Sequence, residues 1–131
     1  MPSLAYKKLA EKPDALAPDG TAVRLLNALD GGSFAHFELP AGATSHAVAH
    51  KTVEEIWYFV AGRGEVWRKL GTEESVVPVA PGDSLTIPLG AQFQFRASAE
   101  AALVFVAVTM PPWPGEQEAF RVEGPWSPTV P

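Results

Sequence analysis

Cysteine is absent from the chain, so neither disulfides nor thiolate metal sites contribute to it. Long apolar runs are absent as well. No stretch approaches the ~20 consecutive apolar residues that a membrane-spanning helix needs. Charge of one sign is gathered nowhere: ten basic residues are dispersed among fifteen acidic ones, for a net charge of −5. Without a positive stripe to neutralise phosphates, nucleic acid is not an expected partner. A basic amphipathic helix that would lie on a membrane surface is also missing. The first twenty residues mix charges with prolines where an export signal carries an apolar core, so a cytoplasmic protein is expected.

What the chain has in plenty is punctuation. Thirteen prolines and eleven glycines fall within 131 residues, and both residues interrupt helices. With 47% hydrophobic and 19% charged residues the chain is nonetheless of globular composition, and its length suits one domain with a continuous core. Only residues 4–12 carry a pattern compatible with a short helix. Elsewhere short runs of Val, Ile, Phe, Tyr and Trp predict strands at 23–29, 34–39, 45–50, 56–60, 65–70, 73–79, 85–87, 93–96 and 103–110. Between them stand turn sequences. Asp30-Gly31-Gly32 reads as a tight hairpin in which glycine supplies positive φ. Gly62-Arg63-Gly64, Pro81-Gly82-Asp83 and Pro88-Leu89-Gly90 read as further turns. Nine closely spaced short strands predict an all-β sandwich or barrel.

The expected organisation is an N-terminal arm over 1–20, a barrel over 21–110 and a tail over 111–131. The tail holds six prolines and two tryptophans, Trp113 and Trp126. Its opening, Pro111-Pro112-Trp113-Pro114-Gly115, cannot continue a central strand. It is expected to pack on the barrel, with closure of one mouth by an aromatic as the sharper alternative.

Two segments bear on function. The first runs from Gly42 to Gly62 and contains His46, Val48, His50 and Glu55; the second is Gly82-Asp-Ser-Leu-Thr-Ile-Pro88-Leu-Gly90-Ala-Gln92-Phe93. Together they resemble the two signatures of the cupin superfamily: Gly, five residues, His-x-His, three or four residues, Glu, six residues, Gly; then Gly, five residues, Pro-x-Gly, two residues, His. With the turn-rich strands around them the resemblance covers about residues 20–110. It implies a single-domain cupin-type β-barrel, that is, a double-stranded β-helix or jelly roll, with a Pro-rich C-terminal tail.

In metal-binding cupins the two histidines, the glutamate and the later histidine hold one divalent cation. Here His50 and Glu55 are in register, but Val48 and Phe93 stand at the other two positions. His46 shares strand parity with 48 and 50 and is expected to face inward, yet about 13 Å of strand would separate it from His50. A metal ligand sits only about 2 Å from zinc-like ions. No cofactor is therefore expected, and a divalent transition metal held by His46, His50 and Glu55 is the alternative. Gln92 and His36 are expected to face away from the interior.

His50 and Glu55 have two readings: relics that satisfy each other's hydrogen bonds, or an acid–base couple in an apolar pocket. Alternation puts Trp57 and Phe59 on the same face as Glu55, as core filling or as a wall for a ligand. The leading expectation is a small-molecule-binding cupin. His46, Val48, His50, Glu55, Trp57 and Phe93 form its pocket, and a small apolar or aromatic molecule is its partner. An isomerase- or cyclase-type enzyme using His50 and Glu55, or a metal-dependent dioxygenase if a metal is bound, is the alternative. A filled barrel with a purely structural or regulatory role is the third reading. The opposite face, Ile56, Tyr58 and Val60, needs covering by the second sheet, by the N-terminal arm or across a dimer interface; the cupin resemblance implies a homodimer.

Overall fold

The computed structural model describes residues 4–131; residues 1–3 of the expected arm lie outside them. Eleven strands form: β1 (Ala15–Leu16), β2 (Ala22–Leu29), β3 (Gly32–Leu39), β4 (Val48–His50), β5 (Glu54–Ala61), β6 (Gly64–Leu70), β7 (Glu73–Val79), β8 (Ser84–Ile87), β9 (Gln92–Ala97), β10 (Leu103–Met110) and β11 (Ala119–Arg121). They make two antiparallel sheets, in the orders β1-β2-β3-β10-β5-β8 and β11-β4-β9-β6-β7. Among the described residues there is no helix, and hence none long and apolar enough to cross a membrane.

The alternation expected of β5 is present: Glu55, Trp57 and Phe59 are buried, whereas Glu54, Ile56, Tyr58 and Val60 are exposed. β10 alternates likewise, and its register sets Phe105 against Phe37 of β3 and Phe59 of β5. The inward residues of the two sheets therefore meet as aromatic rings. Trp57 stacks on Phe105 with centroids 4.1 Å apart, and Phe105 stacks on Phe37 at 5.1 Å. Phe95 closes edge-on against both Trp57 and Phe105 at 5.3 Å. Rings at these separations add attraction to the large apolar area each removes from water. Gly62, at φ +76, ends β5 where an added Cβ would lie 2.0 Å from the carbonyl oxygen of Ala102, so the first motif's closing glycine is required by space as well as by φ.

Several expectations are corrected. Residues 4–12 form no helix; Leu4, Tyr6 and Leu9 are exposed, and so short an isolated segment has no packing to offset the cost of nucleation. Instead the arm is held by Arg24, which donates to the carbonyls of Ala10 and Glu11, and its β1 extends the first sheet. The strand expected over 45–50 is confined to Val48–His50. The hairpin at Asp30-Gly31 forms without positive φ at either Gly31 or Gly32. The tail is more than a cover, because β11 pairs with β4.

Phe105 touches four rings, so Phe105→Ala is expected to cost about 3–5 kcal/mol in urea unfolding. Val76→Ala, at an exposed position on β7, is expected to cost under ~1 kcal/mol. Equal costs would contradict the placement of the core.

Candidate functional site

The two motif positions that lack a ligand lie opposite each other. Val48 on β4 pairs directly with Phe93 on β9, and both are almost fully buried in the apolar core with Trp57. Phe93 also meets Trp57 edge-on at 5.3 Å. The three residues expected to wall an apolar pocket are thus packed on one another and on their neighbours.

Glu55 and His50 do not satisfy each other. The Trp57 indole N–H donates to Glu55 Oε1 at 2.9 Å, and the Thr109 hydroxyl donates to Oε2 at 2.6 Å. Both partners follow from the sheet: Trp57 is two residues on along the same face, and Thr109 is the β10 residue in register with Glu55. Buried His50 instead leaves Nδ1 without any hydrogen-bond partner among the described residues. Its ring lies edge-on to Phe93 at 5.2 Å and to Trp113 of the tail at 5.4 Å. Trp113 thus contacts His50, and its amide donates to Ser33 Oγ at 2.9 Å. Trp126 does not share this place and lies under the Arg96 guanidinium, 4.1 Å from the ring centre.

His46 is corrected most clearly. It leaves the β4 ladder, its Nε2 lies 2.9 Å from the carbonyl oxygen of Pro131, and it lines a cavity between the sheet and the tail. It therefore does not join His50 and Glu55. Among the described residues no three His, Asp or Glu side chains converge as metal ligands. With Val48 and Phe93 at two positions of the family's set and Glu55 engaged by Trp57 and Thr109, the donors present do not fit the divalent cation that the fold implies.

Two further acids belong to the site. Buried Asp19, in the loop between β1 and β2, accepts from the amide and hydroxyl of Thr21 at 3.0 and 2.6 Å. Glu118, just before β11, accepts from the amides of Thr52 and Val53 at 2.6 and 3.1 Å and from the Thr52 hydroxyl. No sequence pattern marks either one, because each reaches the site through contacts distant in the chain. Glu118 ties the tail down beside His50.

Burial sets the protonation of the site. It raises the Glu55 carboxyl above the usual range; the bonds from Thr109 and Trp57 lower it in part, and the charge of Glu118 adds to the rise. Burial also raises Asp19, against the bonds from Thr21, while the charge of Glu55 raises it and that of His50 lowers it. For His50, burial favours the neutral ring and lowers its pKa, partly offset by Asp19 and Glu118. Glu118 is held low: burial raises it, but the bonds from Thr52 and Val53 outweigh that. Burial thus works against charge on His50, Glu55 and Asp19 alike, while Glu118 is held as the anion by its hydrogen bonds.

A sequence description of the cupin domain matches residues 35–109, more than half of the chain, and the chain belongs to the cupin family. No curated protein matches it. Among solved structures, Pac13, described as a unique nucleoside dehydratase, superposes with a TM-score of 0.69 at 16% identity, over 91% of this chain and 92% of its own. Streptomyces Pac13 with uridine gives 0.70 at 16% identity over 92% of each chain. An uncharacterised Klebsiella pneumoniae protein with a double-stranded β-helix domain gives 0.68 at 15% identity, over 93% of this chain and 100% of that one. CapF of Staphylococcus aureus, a capsular polysaccharide assembling protein, gives 0.68 at 16% identity, over 82% of this chain and 33% of its own. The chain thus spans about a third of CapF. At such identities the likeness is one of fold.

The raised carboxyls carry a stability signature. Glu55 and Asp19 keep their protons to higher pH when folded than their ordinary values of 4.5 and 3.8. Their contribution is full below those values and lost as pH rises through the folded ones. His50 acts in the other direction: the fold loses stability as pH falls below 6.5 and through the lowered folded value. Glutamine at 55 can accept from Trp57 and donate to Thr109 without titrating. Urea unfolding between about pH 5 and 8 is expected to show wild type losing more stability with rising pH than Glu55→Gln. Parallel curves would contradict the burial of a titrating Glu55.

Proposed function

We propose that this cupin binds a small molecule at the His50 mouth of the barrel, without a metal, beneath the tail residue Trp113. The observation that carries the reading is the unpartnered, buried Nδ1 of His50. A polar atom removed from water without a partner is costly, and a ligand N–H or O–H would supply the missing bond. The Trp113 indole supplies a flat apolar contact to the same ligand. Beside this mouth lies a cavity of about 560 Å³, lined by Lys51, Thr52 and residues 114–118. It begins at the neighbours in sequence of both His50 and Trp113. Residues 111–118 pair with no strand, and an outward swing of Trp113 that broke its bond to Ser33 would join this cavity to His50. Pac13, seen with uridine, supports the reading to the extent that a similar fold of similar length is seen with a small, partly aromatic molecule.

A second reading rests on the protonation pattern. Burial favours the neutral form of His50, which can act as a base, and of Glu55, which can act as an acid. Removal of a proton by one and its return by the other balances without an oxidant, as an isomerisation or dehydration requires. In this reading Glu55→Gln keeps binding and abolishes turnover. Binding itself is tested by thermal shift across a panel of small aromatic and heteroaromatic molecules, with and without EDTA. A stabilising ligand is expected whose effect survives the chelator and is lost in His50→Gln. A shift abolished by EDTA, or none across the panel, would oppose the proposal.

A second copy of the chain is the proposed cover for the outer face of the first sheet. Ile56, Tyr58 and Val60 of β5, exposed, stand beside Val104, Val106 and Val108 of β10, with exposed Phe34 across from Val108. Contiguous apolar faces of this kind mark interaction surfaces, and one patch meeting its own copy about a two-fold axis closes the assembly. Light scattering is expected to report a dimer that Tyr58→Glu converts to monomer. A wild-type monomer at micromolar concentration would refute it.

A further inference from the structure

The residues after β11 form an arch across the outer side of the second sheet, pinned at several points. The Val122 amide donates to the Ala47 carbonyl at 3.0 Å. The Trp126 amide donates to Gln94 Oε1 at 3.1 Å, and Gln94 Nε2 donates to the carbonyls of Trp126 and Ser45 at 2.8 Å each. The Thr129 amide donates to the Thr44 carbonyl at 3.0 Å, and the Thr44 amide to Thr129 Oγ1 at 2.9 Å. Pro131 meets His46 Nε2 at 2.9 Å. Gly124 passes so close that an added Cβ would lie 2.3 Å from Gln94 Oε1 and 2.6 Å from Ala47 Cβ. Pro125 and Pro128 fix φ within the span. The arch is therefore set in advance of any ligand, which lowers the cost of binding under it.

Beneath it is a cavity of about 280 Å³ whose walls include His46, Ala47, Gln94, Arg121, Trp126 and Pro128. Its polar groups are unequal. Gln94 is buried with its amide spent on the pins, and His46 Nε2 is occupied by Pro131. Arg121 is free: neither ion pair among the described residues, Arg24–Glu38 or Arg96–Glu65, involves it. No carboxylate lines the cavity to compete for it. A guanidinium fork matches a carboxylate two bonds at a time, and the Trp126 indole, one face of which lies under Arg96, offers its other face as a flat wall. At ~30 Å³ per displaced water, the space suits a one-ring acid.

We infer that this cavity is a second ligand site, distinct from the His50 mouth, that takes a small planar carboxylate between Arg121 and Trp126. Benzoate is the probe, titrated into isotope-labelled protein and read from amide and indole resonances. Saturable shifts are expected at the Trp126 indole and at the amides of 46, 47, 94, 121–124, 126 and 127. Arg121→Met, an exposed position on β11, is expected to keep its melting temperature and bind benzoate at least tenfold more weakly. Benzamide, lacking the charge, is expected to bind wild type equally weakly, and His50→Gln to bind benzoate as wild type does. The inference is overturned by no shift up to about 10 mM benzoate, by equal binding in Arg121→Met, or by loss of binding in His50→Gln. Loss in His50→Gln would place benzoate at the His50 mouth instead; the other results do not bear on that reading, which uses other residues.

Discussion

The packing of Val48 against Phe93 is the constraint on which the rest depends. These residues occupy two of the four places at which the cupin pattern carries metal ligands, and the β4–β9 register sets them face to face. Apolar side chains there draw Trp57 into the core, and Trp57 in turn joins the Phe37–Phe105 stack. The two remaining polar members are then separated in role. Glu55, its carboxyl closed off by Trp57 and Thr109, is part of the wall. His50, with nothing bonded to Nδ1, faces the tail.

That separation changes what the family's fold can do here. A cation site needs several donors converging on one point at about 2 Å, and this interior offers one unpartnered imidazole nitrogen and a Glu55 carboxyl already engaged by Trp57 and Thr109. The tail has two parts with different duties. Residues up to Glu118 bring Trp113 over His50 and anchor to Thr52 and Val53. Residues beyond β11 arch over the second sheet and take His46 with them.

The sequence carried the fold in its local patterns. Period-two alternation placed Glu55, Trp57 and Phe59 on one face, and the motif spacing put Val48, His50 and Phe93 at their positions, because both features are fixed within a few residues. The errors arose where distant contacts decide. His46 was assigned inward by extending the parity of β4, but the ladder stops at Val48 and parity has no meaning before it. Asp19, Trp113 and Glu118 reach the site from the two ends of the chain, through loops whose course no periodicity records. The His50–Glu55 bond of one of the two readings does not form, because Trp57 and Thr109 take the carboxyl, one by strand alternation and one by sheet register.

The central claim is that His50 stands free of both metal and Glu55. It is tested most directly by the ring nitrogen resonances of His50 across a pH titration, repeated with one equivalent of Zn²⁺. The account predicts a ring that remains neutral to below its ordinary value of 6.5 and resonances that zinc does not move. A zinc-induced shift at the His50 nitrogens, or a pKa raised above 6.5, would contradict it.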